Sequence, residues 1–347
     1  MGTADRAPDD REMRHMESVL DEALDAGVVG MSSGLIYEPG KYAQTEELIA
    51  LAKRLKPVGG LYATHMRNEA DQLVASVEEA ITIGAAAEVP VQISHHKASG
   101  RDNWGLVNDS LALIEAAQHR GESVHADQYP YTAGSTLLRA ILDNGAFTNE
   151  SGGIGRLGPE DVTVASADGK PDWEGRSVAS LAAEFELPPR AAAERVLESV
   201  PGTTAVVHNM DEADVRRVMQ HPSTMIGSDG IPTVQGRPHP RLYNTFARVL
   251  GHYVRDVGLF SLETAVYRMT GFSAQKFGLR DRGVVRAGAV ADLVLFNPAS
   301  IIDQGTFDDP NQYPDGIDRV WVNGKLSVNG GELAGPPAGR ALRRTNG

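Results

Sequence analysis

The feature that most constrains this chain is an alternation. Short apolar segments, several ending in a polar or metal-competent residue, are separated by stretches of helical period. Residues 9–26 carry Met13, Met16, Val19, Leu20, Ala23 and Leu24 near helical spacing, and Gly27 follows as a stop. Residues 28–31 suit a buried strand. Residues 45–56 read as a helix, with Thr45 as N-cap and Glu46 and Glu47 in a first turn that favours negative charge. The cycle continues with a strand at 61–65, a helix at 69–84, a strand at 89–95, a helix at 108–121 and a strand at 123–127. Residues 203–208 and 224–228 are also strand-like. Strands alternating with helices imply a parallel sheet, and the repetition favours a (β/α) barrel over a lone βαβ unit.

The rhythm breaks between about 134 and 201. This stretch holds Ser151-Gly152-Gly153, Asp168-Gly169-Lys170-Pro171 and a helix-like run at 177–199. It is too long for a simple connection, so it reads as an insertion, either a lid over the barrel mouth or a surface excursion. After about 283 the pattern turns to strands at 288–296 and 319–325, with Asn323-Gly324 as a hairpin signal. The expected organisation is a partial barrel over 1–282, a small β region over 283–335, and a loosely held Pro/Gly/Arg-rich tail over 336–347.

Charge narrows the partners. Lys and Arg total 33 against 46 Asp and Glu, a formal charge of −13 with no offsetting basic cluster. Such a surface repels phosphate backbones and anionic membranes, so neither nucleic acid nor a membrane is expected as a partner, while the charge says little about a substrate. No apolar run reaches the roughly 18 residues of a membrane span. The polar N-terminus is unlike a signal peptide, so a cytoplasmic location is expected. The absence of Cys excludes disulfides and thiolate ligands from within this sequence.

The chemistry is concentrated at strand ends, where a barrel builds its active site. Leu61-Tyr62-Ala63-Thr64-His65 ends in a histidine. Val91-Gln92-Ile93-Ser94-His95 ends in another, followed by His96 and Lys97. Thr224-Met225-Ile226-Gly227-Ser228-Asp229 ends in an aspartate. Two neutral imidazoles from neighbouring strands suit zinc, zinc acidifies water, and a strand-end carboxylate can move the proton to a departing amine. Alternation turns His96 away from His95. His125 and His208 lie near strand ends, each as a ligand, a substrate contact or a structural residue. Asp127 fits a turn cap.

These segments are recognisable. Gly60-Leu61-Tyr62-Ala63-Thr64-His65-Met66-Arg67-Asn68-Glu69, Gln92-Ile93-Ser94-His95-His96-Lys97 and Asp127-Gln128-Tyr129-Pro130-Tyr131-Thr132-Ala133 resemble the N-acyl-D-amino-acid deacylases (D-aminoacylases) of the amidohydrolase superfamily. Ile226-Gly227-Ser228-Asp229-Gly230, His239-Pro240-Arg241 and Ala291-Asp292-Leu293-Val294 extend the match in order along nearly the whole chain. The resemblance implies His65 and His95 as zinc ligands on barrel strands five and six. It implies Asp229 as the strand-eight acid–base, with Lys97 and Tyr129 reaching the substrate carboxylate. The reaction implied is hydrolysis of N-acyl-D-amino acids to a carboxylate and a D-amino acid. The alternatives are another amidohydrolase acting on cyclic amides, dihydroorotase- or hydantoinase-like, or a non-catalytic barrel fragment.

The family pattern also contains a His-x-His pair and a Cys ligand on early strands, and this sequence holds neither. Met1-Gly2 aligns with an internal Met-Gly of the family. The fold expected is therefore an α/β, (β/α)8-type amidohydrolase barrel lacking its first three strands, with a small C-terminal β region. With its ligand set incomplete, the chain as written is expected to show little deacylase activity.

Overall fold

Asp9 starts the first helix, α1 (Asp10–Asp25), through a reciprocal cap. Its carboxylate accepts from the Arg11 and Glu12 amides, both at 2.8 Å, and the Glu12 carboxylate accepts from the Asp9 amide at 2.9 Å. Gly27, at φ +94°, ends it. The structure, a computed structural model, describes residues 1–148, 152–232 and 235–344. Ser151 of the Ser151-Gly152-Gly153 turn and residues 345–347 of the tail lie outside the described residues.

Strand β1 (Gly30–Gly34) follows, then α2 (Thr45–Ala52), β2 (Leu61–His65), α3 (Leu73–Ala87), β3 (Val91–Ile93), α4 (Val107–His119) and β4 (Val124–Gln128). Four of these strands and β8 (Thr224–Ile226) form a five-stranded, wholly parallel sheet in the order β1-β2-β3-β4-β8. Helix α2 packs on α3, α3 on α4, and α4 on α8 (Glu212–Gln220). Tyr62, Val91, Ile93, Val124 and Ala126 from the strands join Leu73, Val77, Ile83, Val107 and Ile114 from the helices in one apolar core. Apolar residues of that kind along central strands are what a sheet covered by helices requires.

Three local expectations change. Thr45 is the first helical residue rather than the cap, and its hydroxyl donates to Glu79 at 2.9 Å. The helix expected from residue 69 begins only at Leu73, because the Asn68 side chain accepts from the amides of Ala70 and Gln72 at 2.7 and 3.1 Å and holds a turn there. The run at 177–199 is two helices, α6 (Val178–Phe185) and α7 (Pro189–Ser199), separated where Glu186 turns left-handed and Pro188-Pro189 follows.

The segment between β4 and β8 has its own sheet. Strands β5 (Gly134–Leu137) and β6 (Val162–Ser166) both pair antiparallel with β7 (Thr204–Val207). The strand-like stretch at 203–208 thus belongs to this second sheet, which extends past residue 201, and β8 pairs directly with β4. Helix α5 (Leu138–Asp143), α6 and α7 pack against it around Leu138, Ile141, Val162, Leu181 and Val196.

Helices α9 (Arg241–Arg248), α10 (Leu262–Met269) and α11 (Gly271–Lys276) follow β8. The C-terminal sheet is antiparallel, in the order β12-β11-β10-β9, from β9 (Leu293–Phe296), β10 (Ile317–Val322), β11 (Lys325–Asn329) and β12 (Glu332–Leu333). Asn323 and Gly324 both have positive φ, and Val322 faces Lys325, as a two-residue hairpin turn demands. The tail is not loose at Arg344: its amide donates to Gly27 O at 2.7 Å, and its guanidinium reaches Leu24 O and Val58 O. Among the described residues, no helix is long and apolar enough to cross a membrane.

Gly30 admits β2 beside it. A Cβ there would lie 2.1 Å from the Leu61 carbonyl oxygen, a backbone atom that pairing holds in place. Gly30→Ala is expected to destabilise the protein by about 3 kcal/mol, read as a lower urea midpoint; a midpoint equal to the parent's would show that the β1–β2 register is not tight.

Candidate active site

His65 ends β2, and Glu69 follows it in the turn that Asn68 shapes. His95 lies two residues beyond the end of β3. Potential ligand atoms of these three side chains all lie within 4.8 Å of one another. The imidazole rings of His65 and His95 meet edge to face at 4.4 Å, and Tyr37 lies against His65 at 4.8 Å. His65 Nε2 is buried and has no hydrogen-bond partner among the described residues. Burial, above all, lowers the His65 pKa to about 3, so at neutral pH one ring nitrogen carries a free lone pair.

His95 adopts a left-handed backbone, φ +39°, and so does Asp229, φ +48°. Non-glycine residues in that region cost about 1–3 kcal/mol and persist where surrounding structure imposes them. For His95 the imposing group is Asp127, whose Oδ1 accepts from the His95 amide at 2.7 Å while Oδ2 accepts from Gln92 Nε2 at 2.6 Å. Asp127 is thus a brace for the His95 turn rather than a simple turn cap.

Glu69 is 2% exposed. Its Oε1 lies 2.9 Å from His95 Nδ1 and accepts from Lys97 Nζ at 2.6 Å. Burial opposes its charge, yet the Lys97 ammonium and the two imidazoles hold the carboxyl well below the usual carboxylate range. Burial likewise opposes charge on Lys97, and Glu69 more than offsets this, so the lysine pKa is raised. The pair is ionised at neutral pH.

Asp229 enters from beyond β8 with its side chain 39% exposed, and Arg241 Nη2 binds its Oδ2 at 2.9 Å. Arg241, at the start of α9, is 2% exposed and lies over the Tyr129 ring at 4.5 Å. His239 positions it. The imidazole accepts from the Arg241 amide at Nδ1, 3.0 Å, and donates from Nε2 to Ala133 O at 2.8 Å. Tyr129 is 1% exposed, and its hydroxyl donates to Met210 Sδ at 3.4 Å, a weak acceptor.

These groups share one cavity of about 190 Å³. His65, Glu69, His95 and Asp229 line it together with Lys97, Tyr129 and Arg241. The opposite wall comes from the second sheet and its flanks, including Ser135, Thr136, Ile154 and Val207. The inserted segment therefore forms part of the cavity wall and does more than decorate the surface. Its Gly153 carbonyl accepts from the Glu69 amide at 2.8 Å, tying the two units together.

The structure brings together all five residues singled out in the sequence. His125 and His208 stand apart from the His65–Glu69–His95 group. His125 packs edge-on against Phe272 and contacts Lys276, and His208 packs against Phe307. Sequence reasoning missed Glu69 by assigning it to a helix. The signal that could have found it was Asn68, whose short amide side chain favours a turn at that point. Tyr37 carried no motif at all.

His96 is 0% exposed and turns outward to Ser110, with Nε2 to Oγ at 2.9 Å. Burial lowers its pKa to about 3. In the unfolded chain an imidazole titrates near 6.5. Below that pH the unfolded state gains a proton that the folded state refuses, so stability present above about pH 6.5 is lost as pH falls toward 3. From pH 7 to pH 5 the expected loss from His96 alone is about 2 kcal/mol. Urea unfolding at both pH values should show His96→Gln losing less than the parent; equal losses would place the acid sensitivity elsewhere.

Residues 94–328 match the amidohydrolase family model, and the chain belongs to that family. It is 43% identical over 343 residues to a D-aminoacylase of Alcaligenes xylosoxydans xylosoxydans, an alignment covering 98% of this chain and 66% of that protein. It is 39% identical to an N-acyl-D-aspartate deacylase from the same organism, covering 99% of this chain and 65% of that protein. The chain thus spans just under two thirds of the length of these relatives. Among solved structures, N-acyl-D-glutamate deacylase from Bordetella bronchiseptica, complexed with zinc and a phosphonate mimic of the tetrahedral intermediate, superimposes with a TM-score of 0.86. It shares 38% identity, over 96% of this chain and 66% of that one.

Proposed function

We propose that this chain forms the reaction centre of a zinc-dependent hydrolase that cleaves the amide bond of N-acyl-D-amino acids. The observation that carries the reading is the convergence of His65, Glu69 and His95 in a cavity that also receives Asp229 and Arg241. The residues fit zinc. His65 offers a buried, unpartnered nitrogen, and its imidazole is neutral at pH 7. Two nitrogens and a carboxylate oxygen are ordinary zinc donors. The similar deacylase from Bordetella bronchiseptica is a zinc complex.

His65 and His95 would hold the ion, with Glu69 beside them. Zinc supplies Lewis-acid polarisation and acidifies water. Asp229, exposed to the cavity and held by Arg241, takes a proton from the attacking water and delivers it to the departing amine. Arg241 and Lys97 flank the Tyr129 ring, at 4.5 and 5.9 Å. Together they make a cationic locus for the single carboxylate of an N-acyl amino acid. The Tyr129 hydroxyl can exchange its weak sulfur acceptor for that carboxylate.

Binding is the primary readout, because it reports directly on the cavity that His65, His95, Asp229 and Arg241 line. Calorimetry with zinc present should show N-acetyl-D-methionine binding at least tenfold tighter than its L enantiomer. Preference for a hydantoin over either acyl amino acid would replace this reading with the cyclic-amidase one.

A further inference from the structure

Two polar side chains that line the cavity take no part in the metal group or the carboxylate locus. Ser99 is 1% exposed and Asn209 is 7% exposed. Neither Ser99 Oγ nor Asn209 Oδ1 has a hydrogen-bond partner among the described residues. Buried polar atoms of native proteins are nearly always paired, so two free ones on a single cavity point to what the cavity receives.

The backbone fixes where they stand. The Ser99 amide donates to Glu69 O at 2.7 Å, and the Ser99 carbonyl accepts from Asn103 Nδ2 at 2.7 Å. The Asn209 carbonyl accepts from the Gly100 amide at 2.8 Å and from Trp104 Nε1 at 3.1 Å. The two residues therefore lie on segments tied to each other. Asn209 Nδ2 donates to Ile154 O at 3.2 Å. That bond settles which way the amide points, because the flipped amide would set two carbonyl oxygens against each other. Oδ1 is the atom left free, and it can only accept. The Ser99 hydroxyl can rotate and donate.

A side chain that satisfies both atoms must bring one donor and one acceptor. A primary carboxamide does so with its NH2 and its carbonyl. A carboxylate brings acceptors alone and would face the Asn209 oxygen with charge of the same sign. It would also find no cation to itself. Lys97 and Arg241 serve the α-carboxylate, and no other Lys or Arg lines the cavity among the described residues. An apolar side chain would leave both buried atoms unpaired, which costs affinity. Ile154 and Val207 line the cavity as well and suit the methylenes that carry a carboxamide.

We propose that Ser99 and Asn209 form a side-chain subsite that selects N-acyl-D-amino acids ending in a carboxamide, of the asparagine or glutamine kind. Asn209 Oδ1 accepts from the carboxamide nitrogen, and the Ser99 hydroxyl donates to the carboxamide oxygen. Both residues touch the substrate away from the bond that is cleaved and set specificity alone. The subsite names a substrate class within the deacylase reading above and rests on that reading.

Calorimetry with zinc present tests it on three compounds. N-acetyl-D-glutamine is compared with N-acetyl-D-glutamate, its near-isostere, and with N-acetyl-D-methionine, an apolar chain of similar length. The parent protein is expected to bind the glutamine compound about tenfold tighter than either of the others. In Asn209→Leu and in Ser99→Ala, both checked for folding by circular dichroism, the preference is expected to shrink to about threefold or less. Equal binding of the three by the parent means that water alone fills the pair, and it overturns the subsite while leaving the deacylase reading standing. A preference for glutamate or methionine does the same. A glutamine preference undiminished in the folded variants removes Ser99 and Asn209 from the subsite. Binding of none of the three overturns the deacylase reading itself.

Discussion

Replacing His65 by alanine is expected to weaken zinc binding by more than about 100-fold, beyond the 10- to 100-fold typical of losing a group that merely orients a ligand. The same change should leave the fold intact. Among the described residues His65 Nε2 has no hydrogen-bond partner, so removing the ring strands no buried group bonded to it. What is lost is packing against Tyr37 and the edge contact with His95, a cost of about 1–2 kcal/mol. The two readouts separate a ligand from a structural histidine. Chelator competition measures the first and urea unfolding of the metal-free protein the second. A variant whose zinc affinity stays within threefold of the parent would remove His65 from the ligand set.

Glu69→Ala should have the opposite signature, with a large effect on stability before any metal is added. Glu69 is the buried counter-ion of Lys97, at 2.6 Å. Removing one member of a buried pair leaves the other charged and unpaired, at about 3–5 kcal/mol. The turn that joins β2 to the inserted segment runs through the same residue, since its carbonyl accepts from the Ser99 amide and its amide donates to Gly153. Those backbone bonds survive the substitution, so the loss isolates the charge. The double variant Glu69→Ala with Lys97→Met is expected to recover at least half of it, because two apolar side chains leave no orphaned charge. A single-variant loss below about 1 kcal/mol would mean that water or another group takes over from the carboxylate.

The sequence was most legible where a local period met a chemical requirement. Leu61–His65 was read with its strand bounds intact, and β4 and β8 were read to within two residues at each end, because apolar residues on a covered parallel strand stand out against helical spacing. The site histidines were legible for the same reason, as the polar residues ending such strands. The segment at about 134–201 was legible as a break in rhythm with a helix-like run at 177–199, but its sheet was not. Its strand β7 looks like any barrel strand, and only pairing with β5 and β6 distinguishes it.

By itself, then, the order of residues determined that strands alternate with helices, that a small β region follows, and that His65, His95 and Asp229 stand at or just beyond the ends of three strands of the parallel sheet. It also carried enough family pattern to name the chemistry. The tertiary structure alone decided that Glu69 belongs with the histidines, that Asp127 braces a left-handed His95, that Arg241 holds Asp229, and that the inserted sheet walls the cavity. The physical reason is distance along the chain. A strand end is a local property, whereas a buried charge is tolerated only where its partner lies. Lys97 stands 28 residues from Glu69, and periodicity cannot report a pairing across that separation.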